Sequence, residues 1–105
     1  MGEARVNVPQ EKIAEFCRRW KIVEFALFGS VLRDDFGPDS DVDVLVTFDP
    51  DARWGLFAMV HMQHELEEIL RIKVDLVSRR GIEASRNYLR RQAILNSARV
   101  IYVAG

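Results

Sequence analysis

At 105 residues the chain has the modal size of one folded domain, and a composition of 49% hydrophobic with 30% charged residues excludes a disordered polypeptide. Fifteen basic residues against sixteen acidic ones leave a net charge of −1, which excludes a general electrostatic pull on nucleic acid or on an anionic membrane. Cys17 is the only cysteine, so an intramolecular disulfide is impossible. The start, MGEARVNVPQ, has no apolar leader, and no later run approaches the roughly 20 apolar residues that span a bilayer. A single domain over residues 1–105, cytoplasmic and untargeted, is the expectation.

In chain order, Ile13, Phe16, Cys17 and Trp20 fall at i, i+3, i+4 and i+7, which predicts an amphipathic helix from Pro9 to Trp20. Ile22 to Phe28 is short, β-branched and aromatic, and stops at Gly29; it reads as a largely buried strand. Ser30 is a good N-cap for a helical turn over Val31 to Asp35, ended by Gly37-Pro38, with a turn from Gly37 to Ser40. Asp41 to Phe48 alternates as a second strand, placing Val42, Val44 and Val46 on one face and Asp41, Asp43 and Leu45 on the other.

Asp49-Pro50-Asp51 breaks that strand. Leu56, Met59, Val60, Leu66 and Leu70 then recur at helical spacing, so a long helix ends near Leu70. Lys73 to Ser78 predicts a third strand, with Val74 and Leu76 on one face and Asp75 on the opposite one. A helix from about Ile82 to Asn96 and a last strand, Val100 to Val103, complete an α/β (α+β) domain, a small mixed sheet with helices packed on one side.

The chemistry sits in one conjunction. Gly29-Ser30 follows a buried strand, and Asp41-Val42-Asp43 comes ten residues later, with Arg33 and Ser40 between. Gly29 admits a ligand to the backbone with no Cβ in the way, while Ser30 supplies a hydroxyl and the free N–H groups of a helix start, a cradle for phosphate. Asp41 and Asp43, two apart on a strand, share one face closely enough to hold hard cations, whose charge relieves the carboxylates' repulsion. Such a set binds a triphosphate and magnesium, as phosphoryl-group chemistry requires. A third carboxylate joins if the strand carrying Asp75 lies beside the second strand with Asp75 and Asp43 on one face. Asp75 would then ligate a second metal ion or accept the proton of an attacking hydroxyl.

The stretch from Gly29 to Val46, GSVLRDDFGPDSDVDVLV, resembles the signature of the nucleotidyltransferase superfamily related to DNA polymerase β, and within it the minimal nucleotidyltransferases, or MNT proteins. The resemblance implies the polymerase β-like fold and attack of a hydroxyl on the α-phosphorus of a nucleoside triphosphate, with pyrophosphate leaving. Carried over by residue, it implies that Gly29 and Ser30 hold the triphosphate, with Arg33 and Ser40 in the same loop, that Asp41 and Asp43 hold two Mg²⁺ ions, and that Asp75 is the third catalytic acid. Many MNT proteins are paired with a HEPN-family partner as antitoxin to toxin, and transfer AMP from ATP to a tyrosine of it. Larger members append a domain that grips the acceptor. Here the residues are used up by the catalytic core, which favours a hetero-oligomer with a protein acceptor, without membrane or direct nucleic-acid binding. Two alternatives stand beside this reading: a nucleotide-binding antitoxin that merely occludes its partner, and a transferase for a small molecule or an RNA end.

Other residues carry weaker signals. Arg33 lies one helical turn after Ser30 and reaches either a phosphate or Asp34, Asp35 or Asp39. His61 and His64, without a His-Glu-X-X-His pattern, read as a solvated or partly packed pair rather than metal ligands. Trp54, Leu56 and Phe57 are expected in the core, with an exposed interface as the alternative. Arg79-Arg80, Arg86 and Arg90-Arg91 read as a charged helix face, with partner or RNA contact as the minority view. Trp20 and Cys17 are assigned to packing.

Overall fold

A computed structural model of the chain describes residues 8–29, 41–84 and 86–104. The elements run α1 (Gln10–Arg19), β1 (Ile22–Phe28), β2 (Val42–Phe48), α2 (Leu56–Leu70), β3 (Val74–Ser78), α3 (Arg79–Glu83), α4 (Tyr88–Ser97) and β4 (Arg99–Val103). The helical turn expected over Val31 to Asp35 and the turn from Gly37 to Ser40 lie outside the described residues.

The amphipathic spacing of α1 turns Ile13, Phe16 and Cys17 fully inward. Glu11 in its first turn and Arg18 and Arg19 in its last complement the helix dipole. On α2, Met62, Leu66 and Leu70 supply the buried stripe, and the helix stops where Arg71 takes a left-handed conformation (φ 61°). Each large side chain buried this way contributes about 1.5–3 kcal/mol relative to exposure.

The four strands lie in the order β3-β2-β1-β4. β1 is antiparallel to both β2 and β4, whereas β2 and β3 are parallel, the pair that α2 connects. Strand alternation divides the core in two. Phe25, Leu27, Val42, Val44, Val46 and Val74 pack with α1 and α2, while Ala26, Phe28 and Leu45 point the other way and pack with Ile82 of α3 and Ile94 of α4. The expected class, a small mixed α/β sheet with helices, therefore holds, but its helices cover both faces rather than one. The reason is that β1 is apolar on both sides, which a sheet tolerates only when both are covered.

Two further expectations are corrected. The helix expected from Ile82 to Asn96 is two helices, because Asn87 caps a fresh start by accepting the Arg90 N–H at 3.0 Å, and α3 begins earlier, at Arg79, capped by Ser78, whose hydroxyl accepts the Gly81 N–H at 3.0 Å. Leu56 and Phe57 are not core residues: they are 78% and 91% exposed. They occupy the first turn of α2, one turn before the stripe that meets the sheet. Trp54 is partly exposed, its ring packed edge-on against Trp20 at 5.1 Å and its indole N–H donating to the Trp20 carbonyl at 2.7 Å. No helix among the described residues is long and apolar enough to cross a membrane.

Candidate active site

The site is built from strand register upward. Phe28, the last residue of β1, pairs with Asp43, and Asp43 pairs in turn with Asp75 across the parallel β2/β3 ladder. Register partners in adjacent strands point to the same face with Cα atoms about 5 Å apart. Asp43 and Asp75 therefore stand side by side on the face that also bears Phe28 and Leu45. Asp43 is half-buried and Asp75 exposed; Asp41 is exposed, immediately before the first residue of β2.

Gly29 closes this corner. Its φ of +78° is a left-handed conformation that glycine adopts without strain. A Cβ built on it would fall on Oδ2 of Asp43 and 3.1 Å from its Cγ. The backbone at the end of β1 thus lies directly against the Asp43 carboxylate, a closeness only glycine permits. Of the other residues expected here, Ser30, Arg33 and Ser40 lie outside the described residues.

Register at the β2/β3 pair has an anchor that sequence reasoning missed. The Val42 N–H donates to the Lys73 carbonyl at 2.9 Å, and the Val74 N–H donates to Oε2 of Glu67 at 3.0 Å. Glu67, one turn before the end of α2, thereby ties the helix to the first residue of β3 and sets where Asp75 begins its face. A glutamate near a helix end followed seven residues later by a strand offers little signal in sequence, because its acceptor role depends on the tertiary turn between them.

Among the described residues, no group of three or more His, Cys, Asp and Glu side chains converges into a metal cage. Magnesium does not require one, since it dehydrates reluctantly and is held by one or two carboxylates together with substrate phosphates. The hard-oxygen pair of Asp43 and Asp75 fits that mode in donor type. His61 lies 5.7 Å from the Trp20 ring, in a partly packed setting on α2. A cleft of about 390 Å³ lined by Phe48, Asp49, Trp54, Met59, Ser78 and Arg79, among others, lies at the opposite ends of β2 and β3 and contains none of the three aspartates.

The described part of the site is thus a glycine-ended strand abutting one carboxylate, with a second carboxylate registered beside it on a mixed sheet. The chain belongs to the nucleotidyltransferase domain family, whose model matches residues 10–101. The protein adenylyltransferase MntA of Thermococcus cleftensis is 33% identical over 70 residues, covering 67% of this chain and 69% of that protein. The chain spans 64%, 67% and 69% of the length of three curated relatives it matches. A solved structure assigned as a minimal nucleotidyltransferase superimposes with a TM-score of 0.66 at 32% identity, covering 86% of each chain. A complex of a tri-AMPylated Shewanella oneidensis HEPN toxin with an MNT antitoxin shares the fold, with a TM-score of 0.61 at 22% identity over 90% of this chain and 70% of the matched one.

Proposed function

We propose that this chain transfers AMP from ATP to a hydroxyl of a HEPN-family protein, a tyrosine of it by resemblance, and serves as the antitoxin of that pair in the cytoplasm. The observation that carries the reading is the pairing of Asp43 with Asp75 on one sheet face, against the backbone of Gly29. A protein adenylyltransferase among the relatives and a HEPN toxin bound to a structural neighbour support the choice of group and acceptor.

In this mechanism Gly29 and Ser30, with Arg33 and Ser40, cradle the triphosphate, and the lack of a Cβ on Gly29 lets the polyphosphate approach Asp43. Asp41, Asp43 and Asp75 would hold magnesium, which when bound would supply charge neutralisation for the phosphates and the leaving group. The acceptor oxygen attacks the α-phosphorus, the bond from that phosphorus to the bridging oxygen of pyrophosphate breaks, and the hydroxyl proton passes to the Asp75 carboxylate. The products are the AMP ester of the acceptor and pyrophosphate.

The test is direct. The chain is incubated with MgATP and a HEPN-family protein, and the intact mass of that protein is recorded. An increase by whole AMP units that disappears with Asp43→Asn is expected. A partner of unchanged mass, bound and silenced equally by wild type and Asp43→Asn, would replace transfer with occlusion.

A further inference from the structure

Charge in this chain is segregated. Residues 79–99 contain six arginines and one carboxylate, Glu83, a net +5, while the remainder of the chain carries −6. The folded protein displays this stretch as α3, α4 and the first residue of β4, with α3 and α4 packed on the sheet face that carries Asp43 and Asp75. Arg80, Arg86, Arg90 and Arg99 are exposed, and none of them forms an ion pair among the described residues. In the midst of these cations α4 presents Tyr88 and Leu89, 59% and 79% exposed. The Arg91 guanidinium lies 5.4 Å from the Tyr88 ring centroid and donates to the Glu83 carbonyl at 3.1 Å, which fixes the aromatic ring and ties α4 to α3.

We infer that the α3–α4 face is the docking surface for the acceptor protein, and that the partner's contact face is acidic around an apolar hollow that receives Leu89 and Tyr88. Charge complementarity and anchor chemistry carry this together. Tyrosine and arginine are the residues that dominate binding energy at protein interfaces, and arginines around an apolar centre match carboxylates that surround a pocket. A nucleic acid fits less well, because a polyanion long enough to use these arginines also meets the −6 of the remaining surface.

Position adds a second argument. Ile94 of α4 packs with Phe28 and Leu45, the neighbours of Gly29 and Asp43, and Tyr88 stands six residues earlier, about 9 Å along the helix axis. A typical interface covers about 800 Å² per partner. A protein that covers α4 from Leu89 to Ile94 on this scale lies next to the corner that carries Asp43, where it can present its own hydroxyl. The inference rests on the adenylyl-transfer reading only for that last step; docking is measured separately.

The experiment compares the wild-type chain with Arg80→Glu/Arg86→Glu/Arg90→Glu and, independently, Leu89→Ser, each with the HEPN-family protein that the wild-type chain AMPylates or binds. The expected result is a dissociation constant at least 30-fold weaker for the triple variant and at least tenfold weaker for Leu89→Ser, with melting temperature and MgATP affinity unchanged. Raising NaCl from 50 to 500 mM should weaken the wild-type complex about tenfold and the triple variant's much less. Binding by both variants within threefold of wild type overturns the proposal, as does the absence of a wild-type complex. Micromolar binding of a labelled 20-nucleotide RNA by wild type that the triple variant loses, with partner binding intact, assigns the face to nucleic acid and overturns it too. A complex lost in the variants but never AMPylated by wild type leaves the docking surface standing and removes adenylyl transfer instead.

Discussion

The carboxylate of Asp43 lies where a side chain on Gly29 would begin. Gly29 follows the last residue of β1 and Asp43 lies in β2, its antiparallel neighbour, and the positive φ of Gly29 turns the backbone against the acid. Gly29→Ala is accordingly expected to cost about 1–3 kcal/mol of stability through its left-handed backbone, and to push Asp43 from its place. Denaturant titration reads the first effect and MgATP titration the second. A variant of wild-type stability and nucleotide affinity would show that the contact has no role.

Asp75→Asn separates chemistry from fold. Asp75 is exposed and at the edge of the sheet, so its neutralisation should leave stability within about 0.5 kcal/mol. On the proposed reading AMP transfer falls about 10²–10⁴-fold, the usual contribution of a general base. Transfer within threefold of wild type would remove Asp75 from the mechanism.

Cys17 should be silent toward thiol reagents. Burial in the core pushes its pKa up to about 12, so the reactive thiolate is scarce at neutral pH and the sulfur is out of reach. Iodoacetamide labelling at pH 8 is expected to track unfolding, accelerating steeply through the denaturant transition. Rapid labelling of the native chain would contradict the packing of α1 on the sheet.

Glu65 gives a pH signature. Its carboxylate accepts hydrogen bonds from the Arg19 guanidinium and, at 3.1 Å, from the Trp20 indole, and the Arg19 bond holds its pKa below the ordinary 4.5. A carboxyl whose folded pKa is depressed contributes stability above its unfolded pKa and loses it as pH falls through the folded value. Glu65→Gln should therefore cost about 1 kcal/mol at pH 7, a modest figure because Arg19 is half exposed, and the difference should close below pH 4.5. A difference independent of pH would assign the effect to packing of α1 against α2.

The strands were the most legible part of this chain. Ile22 to Phe28 is observed with the bounds expected, because a short β-branched and aromatic run closed by glycine has few alternatives. The same run contained a clue that went unused: Ala26 and Phe28 alternate with Phe25 and Leu27, so apolar residues on both faces already called for helices on both sides. The pairing of Asp75 with Asp43 was open in sequence, since strand adjacency depends on the crossover through α2. Leu56 and Phe57 misled for a related reason. Helical spacing reports which residues share a face, but not where along the helix its packing partner ends. The break before α4 turned on Asn87, whose capping bond competes with helix continuation in a way that periodicity does not register.

Asp43 and Asp75 are brought together by a parallel pair of strands, and parallel neighbours must be joined by a crossover such as α2. No hairpin can bring these acids face to face early. Their meeting waits for the connection through α2 to close, so a chain that has folded only its β1/β2 ribbon has Gly29 beside Asp43 without the second acid. On the proposed reading, the pairing of the two acids would therefore report that the whole domain has been assembled.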